Sequence, residues 1–311
     1  MTKVDLITGF LGSGKTTFIK KYAKYLLESG EKIGILENDF GAVNVDMMLL
    51  QDLASERCEL EMVSSGFDKD CHRRRFKTKL ISMGMVGYDR VIVEPSGIYD
   101  VDEFFDVLCE APLDRWYEIG NVITIVDATL EDDLSKEAQY LLVSQLAQAG
   151  KVILSKTETA SKEQIEHTIQ TLNKIMASFK CERRFESEML GKPLGELTSK
   201  DFEEIKASGY TDYVHTKLWF DKEEIFQSVY VMDSHITEEK IKKAVKGMMQ
   251  DKACGKIFRI KGFIQTEEGG WLELNATELA TSIHPIAQGQ DVVIVIGEDL
   301  KEEKIKHYLM E

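Results

Sequence analysis

Short runs of apolar residues recur through the first half of the chain, separated by longer stretches of mixed composition. They lie at residues 4–7, 33–36, 91–93, 122–126 and 152–154, and they are rich in Val and Ile. Runs of this kind, flanked by turn residues and spaced by amphipathic segments, are typical of buried parallel strands joined by helices. The pattern therefore predicts a doubly wound α/β sheet, in which ligands bind beyond the carboxyl ends of the strands.

The segments between these strands show helical periodicity. We predict helices at residues 15–27, 70–83, 103–108, 135–147 and 161–179. Ser161 stands three residues before Gln164, which is the spacing of a capping box, so the last of these helices is expected to begin there.

Beyond residue 210 the pattern changes to a mixture of strands and helices. Strands are predicted at residues 214–220, 228–232 and 292–296, a hairpin of 256–264 with 271–274 around Gly269 and Gly270, and helices at 237–249 and 301–309. Such a mixture indicates a small α+β domain. The turn-rich stretch at 207–213 marks the expected join, which gives two domains, residues 1–210 and 211–311.

Composition and charge restrict the partners. Of the 311 residues, 43% are hydrophobic and 30% are charged, as in ordinary globular proteins. The formal net charge of −15 argues against binding to nucleic acid or to an acidic membrane surface. The five cysteines are widely spaced, and neither a signal peptide nor an apolar run of membrane length is evident, so we expect a cytoplasmic protein.

The first predicted strand runs into ITGFLGSGKTTF, which contains the motif G-x-x-x-x-G-K-[ST] with Lys15 and Thr16 as its last residues. Glycines let backbone N–H groups point at phosphate, and the helix N-terminus adds positive potential. Lys15 is expected to reach the β and γ oxygens, and the Thr16 hydroxyl to ligate Mg²⁺. The predicted phosphate cradle comprises Gly12, Ser13, Gly14, Lys15, Thr16 and Thr17, with Gly9 opening the motif.

A second motif, DRVIVEPSG, ends a buried strand in Glu94 and places Gly97 shortly after it. An acid at this point can hold the Mg²⁺ shell or orient a water, and the glycine lets a backbone N–H approach the γ-phosphate. We therefore assign Glu94 to Mg²⁺ and, with Lys15, to catalysis. The alternative is a strand-end glutamate and turn without chemistry.

Acids also follow the second strand in ILENDFGAVNVD, where a nucleotide-sensitive switch loop would lie. This loop supplies Glu37, Asp39 and Asp46. Asp39 is predicted as the third catalytic residue and a Mg²⁺ ligand, and a solvated loop acid is an equally good interpretation of the same residue.

The stretch VILSKTE follows a late strand, where a base-recognition loop commonly carries N/S/T-K-x-D. Ser155 and Lys156 fit this pattern, and Glu158 stands where an aspartate would pair with the N1 and N2 hydrogens of guanine. The glutamate is one methylene longer than the expected aspartate. Because a loop can shift to absorb that length, guanine stays favoured over adenine.

The chain resembles the CobW-like branch of the P-loop GTPases, which is related to the nickel-handling UreG and HypB proteins. The resemblance rests on the order and spacing of GFLGSGKTT, NDFG, EPSG, VDA and SKTE. The later GKIFRIKGFI and VVIVIG are similar to that family's C-terminal domain. The resemblance implies a mostly parallel P-loop NTPase sheet followed by a smaller α+β domain. It also implies Mg²⁺-dependent binding of GTP and GDP, slow GTP hydrolysis, and delivery of a metal or cofactor to a client metalloenzyme or corrinoid protein.

One segment departs from the family, which usually carries a G-C-x-C-C metal motif before the acid-bearing strand. Here that place reads SSGFDKDCHRRR, so Gly66 is retained while Phe67, Lys69 and Asp70 occupy the cysteine positions. A tight thiolate site for zinc or a similar soft ion is therefore not encoded there.

Cys71 and His72 adjoin this gap and are the remaining candidate ligands for a transition metal. Adjacent residues at a helix start diverge in direction, however, and a lone Cys-His pair is more often not a ligand. The arginines at residues 73–75 could reach phosphate or an acidic client, but a solvated basic face is the favoured interpretation.

Functional hypotheses of different classes follow. The first is a GTPase switch whose loops change a client-binding surface on hydrolysis, and which, without the cysteines, carries no metal on this motif. The second is a non-hydrolysing, nucleotide-dependent module that binds a partner. A metallochaperone with a rebuilt metal site is a further alternative, and a small-molecule kinase is weaker because no basic lid segment is evident apart from residues 73–75.

Overall fold

The computed structural model describes residues 1–38, 45–63, 69–130, 132–186, 193–266 and 268–310. The chain forms two compact units, Met1–Trp219 and Phe220–Glu311. Each unit is built around a sheet of its own. No helix within the described ranges is long and apolar enough to cross a membrane.

The first unit is organised by a six-stranded sheet in which neighbouring strands run parallel. Its strands are β1 (Thr2–Thr8), β2 (Ile33–Asn38), β3 (Cys58–Val63), β4 (Arg90–Pro95), β5 (Tyr117–Asp127) and β6 (Lys151–Ser155). Their spatial order is β3-β2-β4-β1-β5-β6, so β1 lies in the interior of the sheet. The predicted α/β class is confirmed, and so are the five strands expected in this unit from apolar runs.

β3 is the strand that the hydrophobic pattern did not predict. Its sequence, CELEMV, places glutamates between apolar residues, and only Cys58 and Val63 at its two ends are buried. β3 lies at an edge of the sheet and is only partly covered along its middle, so it needs no continuous apolar run.

Helices connect the strands of this unit. They are α1 (Lys15–Glu28), α2 (Val45–Leu50), α3 (Lys69–Gly84), α4 (Val101–Leu108), α5 (Leu113–Trp116), α6 (Lys136–Gln148), α7 (Lys162–Ser178) and α8 (Ser199–Lys206). The predicted capping box is confirmed, because Ser161 Oγ accepts from the Gln164 N–H and Gln164 Oε1 accepts from the Ser161 N–H. The short helices α2, α5 and α8 were not predicted, since so few turns display little periodicity.

A charged cluster is buried at the centre of the sheet. Asp5 of β1 is fully buried and accepts two hydrogen bonds from Arg90 of β4, at 2.6 and 2.7 Å. It also accepts from Tyr22 of α1 at 2.8 Å, and from the main-chain and side-chain N–H groups of Asn121 of β5, each at 2.9 Å. Burial raises the pKa of the Asp5 carboxyl, and the charge of Arg90 opposes that effect. One carboxylate thus joins three strands and a helix.

The strand expected at residues 214–220 is wrong. Within this stretch the N–H of Thr216 donates to the carbonyl group of Phe179, at the end of α7, at 2.7 Å, and just before it the N–H of Thr211 donates to that of Gln148, at the end of α6, at 2.9 Å. The aromatic composition is typical of strands, but these partners at helix ends provide no neighbouring strand with which to pair.

The second unit is a five-stranded antiparallel sheet with helices. Its elements are α9 (Lys222–Ile225), β7 (Phe226–Met232), α10 (Glu238–Gln250), β8 (Lys256–Gln265), β9 (Trp271–Ala276), β10 (Thr281–Ile286), β11 (Val292–Glu298) and α11 (Glu302–Met310). Its core gathers Val245 of α10 and Ile305 of α11 with Val295 of β11. The predicted smaller α+β fold is confirmed. The pattern missed β10, which lies at a sheet edge and contains Pro285.

The central cluster gives a test of what holds the first unit together. Asp5→Ala should destabilise the protein by about 3–5 kcal/mol, because Arg90 would keep a buried charge without its main partner. Urea-induced unfolding measures the loss. The matched control is Asp52→Ala, which removes an exposed partner of Lys20 and should cost at most about 0.5 kcal/mol. Equal losses in the two variants would contradict the assigned role of Asp5.

Candidate nucleotide-binding site

The loop between β1 and α1 depends on glycine at several positions. Gly9, Gly12 and Gly14 have φ angles of 149°, 75° and 92°, in the region that other residues rarely adopt. At Gly9 a side chain is also excluded by space, since a Cβ would lie 2.2 Å from the carbonyl oxygen of Ile125 in β5. The loop therefore turns tightly into the N-terminus of α1, where backbone N–H groups can bind an anion.

Lys15 and Thr16, at the start of α1, are both buried. Nζ of Lys15 donates to the carbonyl oxygen of Gly9 at 3.0 Å, so the lysine folds back over the loop. The Thr16 hydroxyl donates to Oε1 of Glu94, near the end of β4, at 2.8 Å. Ser13 Oγ is buried and has no hydrogen-bond partner among the described residues. The structure thus brings the glycine motif and the Glu94 motif together, and the glycine loop retains a hydroxyl group that can hydrogen-bond to a ligand.

Acidic side chains crowd the same lysine. Glu37 of β2 lies beside Glu94 in the sheet register and hydrogen-bonds to its carboxyl, and Asp46 of α2 is also buried. Burial raises the pKa of Glu94, the negative charge of Asp46 raises it further, and Lys15 opposes both effects. The Thr16 hydroxyl and the Glu94 carboxyl beside this lysine fit a Mg²⁺ ion, which usually takes only one or two protein ligands together with phosphate oxygens and waters.

The turn after β4 packs directly against the glycine loop. At Gly97 a Cβ would lie 2.8 Å from the backbone nitrogen of Leu11 and 2.9 Å from its Cα. Gln145 of α6 supports this turn, because its Nε2 donates to the carbonyl oxygen of Gly97 at 3.1 Å. The two loops can approach this closely only because residue 97 has no side chain.

A lysine in an unusual conformation marks the loop after β6. Lys156 has a φ of 56°, and its Nζ donates to Oδ2 of Asp127, the last residue of β5. Ser155 is buried, and a Cβ on Gly14 would lie 3.6 Å from that of Ser155, so this loop borders the phosphate loop. Glu158 is exposed. Sequence reasoning did not assign Asp127 to the site, although its place at the end of a buried strand was an available signal.

A known protein family matches the part of the chain that contains these loops. The model of the CobW/HypB/UreG nucleotide-binding domain matches residues 3–182, more than half of the chain. The chain belongs to this family. The matched range contains the glycine loop, the turn after β4 and the loop after β6. The candidate site therefore lies within the nucleotide-binding domain of the CobW/HypB/UreG family.

Individual relatives match about half of the chain. The chain is 30% identical to the zinc chaperone YjiA of Escherichia coli (strain K12) over 176 residues, which are 53% of this chain and 52% of YjiA. It is 24% identical over 180 residues to the zinc-regulated GTPase metalloprotein activator 1 of Schizosaccharomyces pombe, covering 55% of this chain and 43% of that protein. The chain thus spans about half the length of the curated relatives it matches.

Solved structures of YjiA align over nearly the whole chain. The crystal structure of the Zn(II)-bound YjiA GTPase from E. coli covers 99% of this chain and 97% of its own, at 20% identity and a TM-score of 0.38. No functional assignment follows from an alignment at that score.

The predicted site residues that remain are Thr17, Asp39, Cys71 and His72. Asp39 lies outside the described residues, and Thr17 is exposed in the first turn of α1. His72 is buried in α3 with its Nε2 2.7 Å from Oδ1 of Asn38, and Cys71 beside it is half-buried. In the part of the chain that the structure describes, no group of three or more His, Cys, Asp or Glu side chains could hold a metal ion. Cys71 and His72 as metal ligands stay a prediction.

The contact at Gly97 yields a direct test of the site. Gly97→Ala should weaken triphosphate binding about tenfold or more, because the new methyl group must displace the backbone of Leu11. The measurement is calorimetric titration with nucleotide in the presence of Mg²⁺. Gly195→Ala is the matched control, since a Cβ there meets nothing within 4 Å, and it should leave the affinity unchanged. If Gly97→Ala binds as tightly as the control, the turn has no part in the site.

Proposed function

We propose that this chain is a GTP-binding switch protein of the cytoplasm, which hydrolyses GTP slowly with Mg²⁺ and helps a client metalloenzyme acquire its metal or cofactor. The observation that carries the proposal is the hydrogen bond of Thr16 to Glu94 beside the buried Lys15. Membership of the CobW/HypB/UreG family supports the nucleotide, and the five free cysteines support a reducing compartment. Nucleotide binding is proposed for residues 1–210 and client recognition for residues 211–311.

Each part of the site has a role in this proposal. Backbone N–H groups of residues 12–17 bind the phosphates, and Lys15 balances charge on the β and γ oxygens. The Thr16 hydroxyl and Glu94 hold Mg²⁺, for which Asp39 is proposed as a further ligand. Mg²⁺, when bound, neutralises the charge that develops on the phosphate oxygens during hydrolysis. Gly97 is proposed to present its N–H to the γ-phosphate, for which the absence of a side chain leaves room.

Guanine is the proposed base. Lys156 is held by Asp127 at the edge of the phosphate loop, an arrangement in which the lysine stem can pack against a purine. Ser155 and Glu158 complete the proposed recognition loop, with the Glu158 carboxylate pairing with the guanine N1 and N2 hydrogens. Its exposure leaves it room to move to that position.

Zinc is a separate matter, because the similar relatives YjiA and YeiR carry the name zinc chaperone. In this chain Phe67, Lys69 and Asp70 stand at the cysteine positions of the metal motif that the family usually carries. Zinc prefers thiolate and imidazole ligands in a set of four. We therefore propose that the chain acts on its client without carrying zinc at this segment.

Phosphate release from GTP by the purified chain tests the switch. We expect a rate on the order of 10⁻⁴ to 10⁻² s⁻¹ with Mg²⁺, falling to background after chelation. Glu94→Gln should lower this rate about tenfold or more while GTP still binds, because the neutral amide does not balance the cation. Lys15→Ala should lose affinity for GTP. Glu118→Gln, a change at an exposed glutamate of β5, is the control and should keep the rate.

The same measurement separates the alternatives. GTP binding without Mg²⁺-dependent phosphate release would identify a non-hydrolysing module instead. Rapid turnover without any client would count against a switch, and tighter binding of ATP than of GTP would contradict the assignment of the base.

Calorimetric titration with Zn²⁺ tests the proposed loss of metal carriage. The chain should bind no zinc tightly, and GTP affinity should be the same with and without one equivalent of Zn²⁺. The triple variant Phe67→Cys, Lys69→Cys and Asp70→Cys restores the motif and should gain tight zinc binding. Tight binding by the unaltered chain that Cys71→Ser abolishes would show instead a rebuilt metal site.

A further inference from the structure

A buried hydrogen bond connects the first turn of α3 with the carboxyl end of β2. His72 lies 2.7 Å from Asn38, the last residue of β2, and both side chains are buried. The contact joins Nε2 of His72 to Oδ1 of Asn38. Because an amide oxygen only accepts, Nε2 carries the proton and donates. His72 also begins the buried stripe of α3 that continues through Phe76 and Leu80, so the helix cannot turn about its axis without disturbing this bond.

Asn38 is a junction between two parts of the first unit. Its carbonyl oxygen accepts from the N–H of Ser96, in the turn after β4, at 3.0 Å. Its side chain contacts His72, and residues 39–44 of the predicted switch loop follow it directly in the chain. Asn38 therefore contacts the turn after β4 through its main chain and α3 through its side chain.

The turn after β4 leads from this junction to the phosphate loop. Ser96 precedes Gly97, at which a Cβ would lie 2.8 Å from the backbone nitrogen of Leu11. Closely packed interiors transmit displacement instead of absorbing it. A movement of the glycine loop would therefore reach Ser96 through Gly97, Asn38 through Ser96, and α3 through His72.

We propose that His72 is a positioning residue that couples the nucleotide state of the phosphate loop to the position of α3. The inference rests on the proposed function, since it requires the site to hold GTP and GDP in turn. The coupling runs through side-chain and main-chain hydrogen bonds and needs no metal, in keeping with a chain that has no cysteine at residues 67, 69 and 70. Arg73 and Arg74, exposed on the same helix, move with it.

Hydrogen–deuterium exchange of the full chain tests this coupling. The amides of residues 73–84 are compared with a non-hydrolysable GTP analogue bound and with GDP bound. We expect their protection to differ between the two states by about fivefold or more. His72→Leu should reduce this ratio to about one. His72→Gln, whose side-chain amide can still donate to Asn38, should restore it.

Two further variants separate coupling from simple stability. Phe76→Leu perturbs the same buried stripe without touching the bond, so it should raise exchange in both states and keep their ratio. Asn38→Ala removes the same hydrogen bond from the strand side, so it should also reduce the ratio of protection between the two states to about one. If either Asn38→Ala or His72→Leu fails to fold, the other variant provides the test.

The outcomes are distinct. If the unaltered chain binds neither nucleotide, the proposed function fails and this inference with it. If it binds both and α3 exchanges equally in the two states, or if His72→Leu keeps the full ratio, only the coupling is overturned.

Discussion

The position of β1 between β4 and β5 is the constraint on which the site depends. A buried carboxylate is costly unless donors surround it, and Asp5 finds them on both neighbouring strands, in Arg90 and in Asn121. The pairing of three strands is thereby supported at one buried point. Because the strands are parallel, their carboxyl ends emerge at the same edge, and this edge carries the glycine loop, Glu94 and Asp127.

At that edge, charges of both signs are held close together. Lys15 and the N-terminus of α1 favour an anion, whereas Glu37, Asp46 and Glu94 favour a cation. Either set alone would be unfavourable in a buried position, and the raised pKa of Glu94 reflects that cost. A nucleoside triphosphate with its Mg²⁺ presents both signs at once, which is why the proposed ligand is the pair and not either component alone.

Close packing gives the site its connection to the rest of the first unit. Gly9 and Gly97 allow backbone segments to approach at distances that exclude a side chain, so the phosphate loop has little freedom to move independently of its neighbours. The bond from Asn38 to His72 extends this dense region to α3. The connection between strand and helix therefore needs no cysteine at residues 67, 69 and 70, around the start of α3.

The sequence by itself determined the features that depend on neighbouring residues. Continuous apolar runs predicted the five covered strands of the first unit, and the glycine motif located Lys15 and Thr16 at the start of α1. The capping box at Ser161 could likewise be recognised because both of its hydrogen bonds lie within one turn. The same reasoning did not find β3 and β10, since these two strands are half-exposed and show no continuous apolar run.

Only the tertiary structure decided which distant residues meet. The strand order brings Thr16 to Glu94, Lys156 to Asp127 and Asn38 to His72. Residues 214–220 form no strand, because no neighbouring strand is available for them to pair with. Periodicity shows that a strand is buried but not which strand lies beside it. Those neighbours are chosen by packing and by buried polar contacts between segments far apart in the chain, and so the site residues could be named from the sequence while their contacts could not.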